Sequence, residues 1–487
     1  MKRILLAVCL FGFFVVANAS AQTAPDVIKL GDVTFTATLR SRIYVWDWFQ
    51  APSPYSNQYA YSGNLLRLNF AEKRGVFDWD AEVAVPFLLG LPETATAPAP
   101  QGALGLGANY YSANYNHQYA AMAFLKQTWG RYHFGEKESQ SIQAGRFEFN
   151  DGTELAPKNA TLATLKRDRV SQRLIGTFGF SDVGRSFDGV RYSWTQPTAD
   201  FTFVGATPTR GVFQTDGWGW NRVGFGYAAF TKDWGHGNHA ADTRFFAIDY
   251  DDFRHILKTD NRPAAVKKGD TENIHLQTWG GHSLHAFTTT AGTIDALGWV
   301  AIQTGRWGTQ TQRAYAFDVE GGFQPAVMKM LKPWLRGGYT LGSGDGDPND
   351  NRHETFFQIL PTPRPYARFP FFNMMNTEDG FGALILRPHP KVTVSNEYHA
   401  LRLTNANDLW YSGGGVFQPW TFGYTGRATS GLRSLGNLYD TSVEYRANRH
   451  ATFTGYLGYT QGLSVMETIY PAGKDGRFGY LEALFRM

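Results

Sequence analysis

Gly145-Arg146-Phe147-Glu148-Phe149-Asn150-Asp151-Gly152 and Ser186-Phe187-Asp188-Gly189-Val190-Arg191-Tyr192-Ser193-Trp194 flank a segment rich in positive charge (Lys158, Lys166, Arg167, Arg169, Arg173). In both flanking runs Phe, Val, Tyr and Trp alternate with Arg, Glu and Asp. Side chains of a strand point alternately to its two faces. Each run therefore reads as a strand with one apolar and one charged face. Two such strands joined by a long basic connection predict a pore wall, with apolar faces on lipid and charged faces on water. Residues 158–173 then read as a short amphipathic helix packed inside the pore, with Leu162 and Leu165 towards the wall. The alternative is an exposed loop that binds lipopolysaccharide phosphates.

The start of the chain reads as an export signal. Lys2 and Arg3 precede an apolar run at 4–17 and the small residues Ala17-Asn18-Ala19-Ser20-Ala21. That is the layout of a secretory signal peptide, 1–21, cut after Ala19 or Ala21. The apolar run is shorter than the roughly 20 residues that a spanning helix needs. The single cysteine, Cys9, lies in this segment, so the expected mature chain has no disulfide framework and no thiolate metal site. Composition is polar on average, with mean hydropathy −0.33, yet 15% aromatic with 53 Gly, the profile of a large β protein. Without Lys2 and Arg3 the 46 basic residues fall to 44, against 42 acidic ones. Net charge therefore points to no nucleic-acid partner, and charge is read by position.

Further along, Val33, Phe35, Ala37, Leu39, Ile43 and Val45 alternate with Thr34, Thr36, Thr38, Arg40 and Arg42, a strand signal. Leu66, Leu68 and Phe70 against Arg67 and Asn69, a turn at 72–75, and Phe77, Trp79, Ala81, Val83 and Val85 against Asp78, Asp80 and Glu82 form a hairpin pattern. Similar patterns recur to the C-terminus and bring the expected total to about eighteen strands. A soluble sandwich alternates too; the connections separate the two readings. Long or medium connections at 86–117, 151–185, 208–220, 253–271, 345–376 and 405–435 alternate with tight ones at 72–75, 130–138, 233–238, 388–390 and 448–450. Only 305–311 is short where a long one is due. Long loops at one end and short turns at the other are the pattern of an outer-membrane barrel. Leu481, Ala483, Phe485 and Met487 alternate to the C-terminus, as in a final strand read by barrel-insertion machinery, with Met487 in place of a terminal aromatic.

The chain resembles the alginate-export outer-membrane proteins from about Gly31 onward. The resemblance rests on Gly145-Arg146-Phe147 with Phe187-Asp188-Gly189-Val190-Arg191, on Gln303-Thr304-Gly305-Arg306 with Ala314-Tyr315-Ala316, and on Gly338-Tyr339-Thr340-Leu341-Gly342-Ser343-Gly344-Asp345 with Pro348-Asn349-Asp350 and Glu354-Thr355-Phe356. It implies a monomeric barrel whose narrow, Arg/Lys-rich lumen passes an anionic polyuronate, with basic pore residues at Arg146 and Arg336 and with periplasmic export partners. Pro361-Thr362-Pro363-Arg364-Pro365-Tyr366-Ala367-Arg368, in a long outside loop, departs from the family pattern.

By parity the pore-lining basic candidates are Arg40, Arg42, Arg67, Arg146, Arg191 and Arg336. The acidic ones are Asp78, Asp80, Glu82, Glu148, Asp249, Asp318, Glu320, Asp440 and Glu444. A charge facing lipid at the membrane midplane costs up to ~2–4 kcal/mol, which favours placing them inside. Guanidinium forks suit carboxylates, so an arginine cluster would favour uronates; the alternative role is pairing across strands that stiffens the wall. A one-residue slip inverts every assignment in a strand, and Ile142 and Ala144 share the parity of Arg146. Asp345, Asp347 and Asn349 begin like a calcium loop, but Asp350 and Phe356 stand where an EF-hand needs Gly and Glu. Turn chemistry is the alternative there. His282 and His285 fall on opposite faces of a strand. No nucleophile motif surrounds Ser283, His282, Asn396 or His399, so neither a cofactor nor an enzyme is expected.

The sequence thus predicts a signal peptide and one all-β domain over 22–487: a transmembrane antiparallel β-barrel in the outer membrane of a Gram-negative bacterium, with long extracellular loops and short periplasmic turns. Its surroundings would be outer-membrane lipid and lipopolysaccharide. The expected function is a channel for an alginate-like polyuronate or related anionic saccharide; the alternative is a general or small-solute porin without polymer selectivity.

Overall fold

The computed structural model of the chain describes residues 27–419 and 421–487; the expected signal peptide, 1–21, lies outside them. Eighteen strands follow one another around a ring. The first six are β1 (Val33–Asp47), β2 (Gln58–Arg74), β3 (Phe77–Leu89), β4 (Phe124–Phe134), β5 (Gln140–Phe147) and β6 (Phe187–Gln196). Next come β7 (Ala199–Pro208), β8 (Val223–His236), β9 (His239–Asp252), β10 (Ile274–Thr288), β11 (Gly292–Trp307) and β12 (Gln310–Pro325). The ring continues through β13 (Trp334–Gly342), β14 (Thr377–His389), β15 (Val392–Leu403), β16 (Ser434–Arg446), β17 (Ala451–Gly462) and β18 (Gly476–Arg486).

Each strand pairs antiparallel with its neighbours in sequence, and β18 closes on β1 from Thr38↔Arg486 to Asp47↔Arg477. Closure leaves no free edge, so the wall satisfies its own backbone hydrogen bonds, the condition for crossing lipid. The fold is the predicted outer-membrane barrel, with a strand at every predicted position.

Connections at one end are tight. Gly75 and Gly237 sit at φ 59° and 60° in two of them, a backbone region that glycine enters without steric cost. At the other end run the long segments 90–123, 148–186, 343–376 and 404–433. The short connection there joins β11 to β12, beside which Arg352–His353 adds a parallel pair onto Thr311 and Gln312.

The two faces of the wall differ as alternation requires. Tyr44 and Trp46 on β1 are fully buried inside, whereas Ile43, just before Tyr44, is 58% exposed outside. On β10 to β12, Trp279, Val300, Ile302, Tyr315 and Val319 look outward, and so large an apolar girdle has its place in lipid. The inner face holds the buried charges and one continuous aromatic cluster. An 18-stranded ring is wide enough for an aqueous channel; here much of its interior is occupied by the chain's own long connections.

Val300 lies midway along β11. Val300→Arg is expected to cost about 2–4 kcal/mol of folding stability in lipid vesicles, and Thr304→Arg, nearer the rim, about 0–1 kcal/mol. Urea unfolding checks this; equal costs would place Val300 outside the hydrocarbon.

Candidate pore constriction and vestibule

The connection 148–186 does not lie on the surface. It descends from β5 through the lumen to the tight-turn end, where the Lys158 amide donates to Asp233 (3.3 Å) and Gln324 Nε2 donates to Thr161 Oγ1 (3.0 Å). There it forms helix α1 (Ala160–Leu165), capped by Asn159, whose Oδ1 accepts from the amides of Thr161 and Leu162. That cap satisfies donors the helix leaves orphaned. Leu162 and Leu165 are buried, and α1 packs against β9 and β10.

Charge holds the segment in place as it climbs back. Lys166 pairs with Asp242 (3.0 Å), Arg169 with Glu320 (2.8 Å) and Arg173 with Asp318 (2.6 Å), all buried. Arg173 also lies over the rings of Trp299 and Tyr366. Burial pulls the Lys166 ammonium below its ordinary value, against the attraction of Asp242 and Glu154. Burial pushes Asp151, at the head of the segment, up to about 6 despite Arg244. Arg167 pairs with its neighbour Asp168 and remains exposed, as does Lys158.

A second long connection, 343–376, predicted to lie outside, also folds inward. Tyr366 donates to the Ser171 carbonyl (2.9 Å), Gln358 to that of Arg173 (2.8 Å), and the Arg368 amide to Asp440 on β16 (3.0 Å). The two connections thus brace one another inside the ring.

The candidate wall arginines are mostly committed to partners. Arg40 donates to the Gly179 carbonyl (2.6 Å) and lies 3.6 Å from Asp182; Arg42 binds Glu482 (2.5 Å) and the Phe180 carbonyl. Both hold the 178–182 part of the inward segment. Arg67 bridges Glu82 (2.6 Å) and Glu148 (2.9 Å), and Arg336 bridges Asp295 and Glu320. Asp78 binds Arg131 and His133, Asp80 takes a hydrogen bond from Asn69, and Asp318 takes a second one from Thr340. Arg191 differs: it donates to Ser193 and has no carboxylate partner among the described residues, beside Arg131 and His133 in a recess of about 210 Å³.

Two expectations are corrected. Arg146 lies on the outer face, following Ile142 and Ala144, opposite Thr128 and Asp188. It takes both Asp188 oxygens at 2.7 Å and donates to the carbonyls of Gly217 and Trp218 (both 3.2 Å). The reason is packing, because Phe147 and Phe149 fill the inner side and alternation sends Arg146 out. Asp249 also points outward, because Ile248 and Tyr250 take the interior. It accepts from Gln277 (2.8 Å) and lies with Asp251 and His275 on the outer wall.

At Asp345, Asp347 and Asn349 the structure has the turn chemistry, not an assembled calcium loop. Asp347 and Asn349 are exposed, and the Asp345 and Asp347 carboxylates accept the amides of Asp347 (3.1 Å) and Asn349 (2.9 Å), which is turn chemistry. His282 faces inward to Asp242, whereas His285 faces outward to His239. His399 binds Asp379 on β14, away from His282.

Above the braced connections is a cavity of about 630 Å³ at the long-loop end. Trp46, Trp48, Phe180, Trp410, Phe422 and Tyr424 form much of its wall. Its charged side chains are Lys258, Lys267, Arg364 and Arg427, and none is acidic. Arg364 and Arg427 donate to backbone carbonyls and have no ion-pair partner among the described residues. Burial pulls Arg364 down to about 10, so it remains charged at neutral pH. Sequence reasoning missed this site, because its residues come from eight separate segments.

The inward segment supplies a direct expectation. Arg173→Met strands the buried Asp318 carboxylate and should cost about 3–5 kcal/mol, and Arg173→Met with Asp318→Leu should recover most of it. Deletion of 158–173 should raise single-channel conductance; unchanged conductance would remove the segment from the conducting path.

The comparisons with known proteins agree with this architecture. The family model described as alginate export matches residues 165–461. No curated protein matches the chain. Among solved structures, OccK9 (OpdG) of Pseudomonas aeruginosa is similar at TM-score 0.57 and 9% identity, covering 94% of this chain and 98% of that one. OccAB4 of Acinetobacter baumannii gives 0.55 and 8%, with the same coverages. OpdK of Pseudomonas aeruginosa with vanillate gives 0.53 and 8%, over 93% and 98%. These likenesses speak to the barrel alone. By the family match over most of its length, the chain belongs to the alginate export family and is an outer-membrane β-barrel channel.

Proposed function

We propose that this barrel conducts compact, ring-bearing acids, uronate units or aromatic carboxylates, through a vestibule that selects them before the constriction. The observation that carries the reading is the vestibule itself: aromatic walls, four cationic side chains and no acidic one around about 630 Å³. That volume is in the range of small-molecule sites, roughly 300–1,000 Å³. Ring faces offer stacking surface to sugars and aromatics alike, and guanidinium or ammonium groups favour carboxylates. Vanillate, named with the OpdK structure, is an acid of this class. The wall arginines carry less of the selectivity, because most are already paired with wall carboxylates. On this reading the export signal is removed after Ala19 or Ala21, and 22–487 forms one domain with no catalytic step.

Family membership favours a second reading, passage of a whole polyuronate. That would require 158–173 to leave the lumen, breaking the pairs of Lys166, Arg169 and Arg173.

Planar-bilayer recording separates the two. The first predicts anion selectivity and reversible block by monomeric uronate or vanillate, weakened roughly five-fold, about 1 kcal/mol, in Lys267→Gln with Arg427→Gln. Block by polyuronate alone supports the second reading. Cation selectivity, or indifference to every acid, contradicts both.

A further inference from the structure

Three connections at the long-loop end, 253–273, 343–376 and 404–433, meet around Asp345. This carboxylate is 1% exposed, as is Asp408 beside it. Asp408 is fully used: one oxygen accepts from the Asp345 amide (2.9 Å) and Thr355 Oγ1 (2.6 Å), the other from Tyr411 (2.7 Å) and the Leu409 amide (2.7 Å). Asp345 is not. Its Oδ1 accepts from the Asp347 amide, but its Oδ2 is buried with no partner. Asn261 donates to the Asp345 carbonyl (3.2 Å), and its own Oδ1 is likewise buried and unpartnered.

Asp350 and Glu354 add negative charge within reach of Asp345. Among the described residues no Lys or Arg forms an ion pair with Asp345, Asp350, Glu354 or Asp408; nearby cations such as Lys258 and Arg262 are spent on Asp260 and Asp270. A buried carboxylate without counter-charge is costly. Burial, with Asp408, Asp350 and Glu354 around it, pushes Asp345 up to about 7.

We propose that the two unpartnered oxygens, Asp345 Oδ2 and Asn261 Oδ1, bind one divalent cation of the calcium type where the three connections meet. The donors are all hard oxygens, the set calcium takes in coordination by 6–8 ligands, with water completing the shell. No thiolate or imidazole is among them, which disfavours zinc. The outward Asp249, Asp251 and His275 carry less weight as a site, because they are exposed and satisfy one another, with His275 2.6 Å from Asp251. Asp408 adjoins Leu409 and Trp410 of the vestibule wall, so a cation at Asp345 fixes the wall that faces the solute.

The test uses the full chain folded in detergent, stripped with a chelator and dialysed against radioactive calcium. Heat-modifiable gel mobility verifies that each variant is a folded barrel. The native chain should bind one calcium, and Asp345→Asn should weaken binding at least about tenfold. In chelator, Asp345→Asn should melt at or above the native chain, because it removes an uncompensated charge, and calcium should raise only the native melting temperature. If Asp345→Asn does not fold, Asn261→Ala is read instead, with the same loss of binding expected. No calcium bound by the native chain, or undiminished binding by the variants, overturns the proposal.

Discussion

Three buried ion pairs hold the interior together: Lys166 to Asp242, Arg169 to Glu320 and Arg173 to Asp318. Each joins a cation of the inward segment to an acid on β9 or β12. Burying a charge costs several kcal/mol unless it is paired, and removing one partner of a buried pair costs about 3–5 kcal/mol. Such pairs add little net stability over an apolar core, but they allow very few positions. The segment is therefore placed by the wall. Arg336, bridging Glu320 and Asp295, extends the same network to β11 and β13.

This arrangement changes where selectivity resides. A lumen acts on a solute through charges free to meet it, and most inward arginines here are committed to wall acids or loop carbonyls. Cations without an ion-pair partner among the described residues remain at two levels: Arg364 and Arg427 in the vestibule, and Arg191 at the other end, where Glu138 shares its recess. The rings between those levels form a packed interior, anchored by residues such as Tyr44, Trp46 and Phe478.

The barrel was legible because period-two alternation and connection length are local signals. Lys166, Arg169 and Arg173 were also visible as a basic run, and Leu162 and Leu165 marked the buried side of its helix. Their partners were harder to see: nothing local links Arg169 to Glu320, 151 residues away. Arg146 was misplaced although Ile142 and Ala144 carried the contrary signal, because charge was given more weight than parity. At Asp249 the competing residues, Ile248 and Tyr250, are themselves able to face lipid, so alternation alone did not choose. The vestibule and the Asp345 site depend on where long connections fold, which strand patterning does not encode.

The most direct measurement is whether the inward segment touches the barrel floor in a native outer membrane. The single cysteine, Cys9, lies in the expected export signal, which makes the mature chain a clean background for Thr161→Cys with Gln324→Cys. A short bifunctional thiol cross-linker should join the two thiols in most folded chains, because Gln324 Nε2 reaches Thr161 Oγ1 at 3.0 Å. Thiols that stay unjoined and react freely with an extracellular reagent would contradict the account, placing the segment outside the lumen.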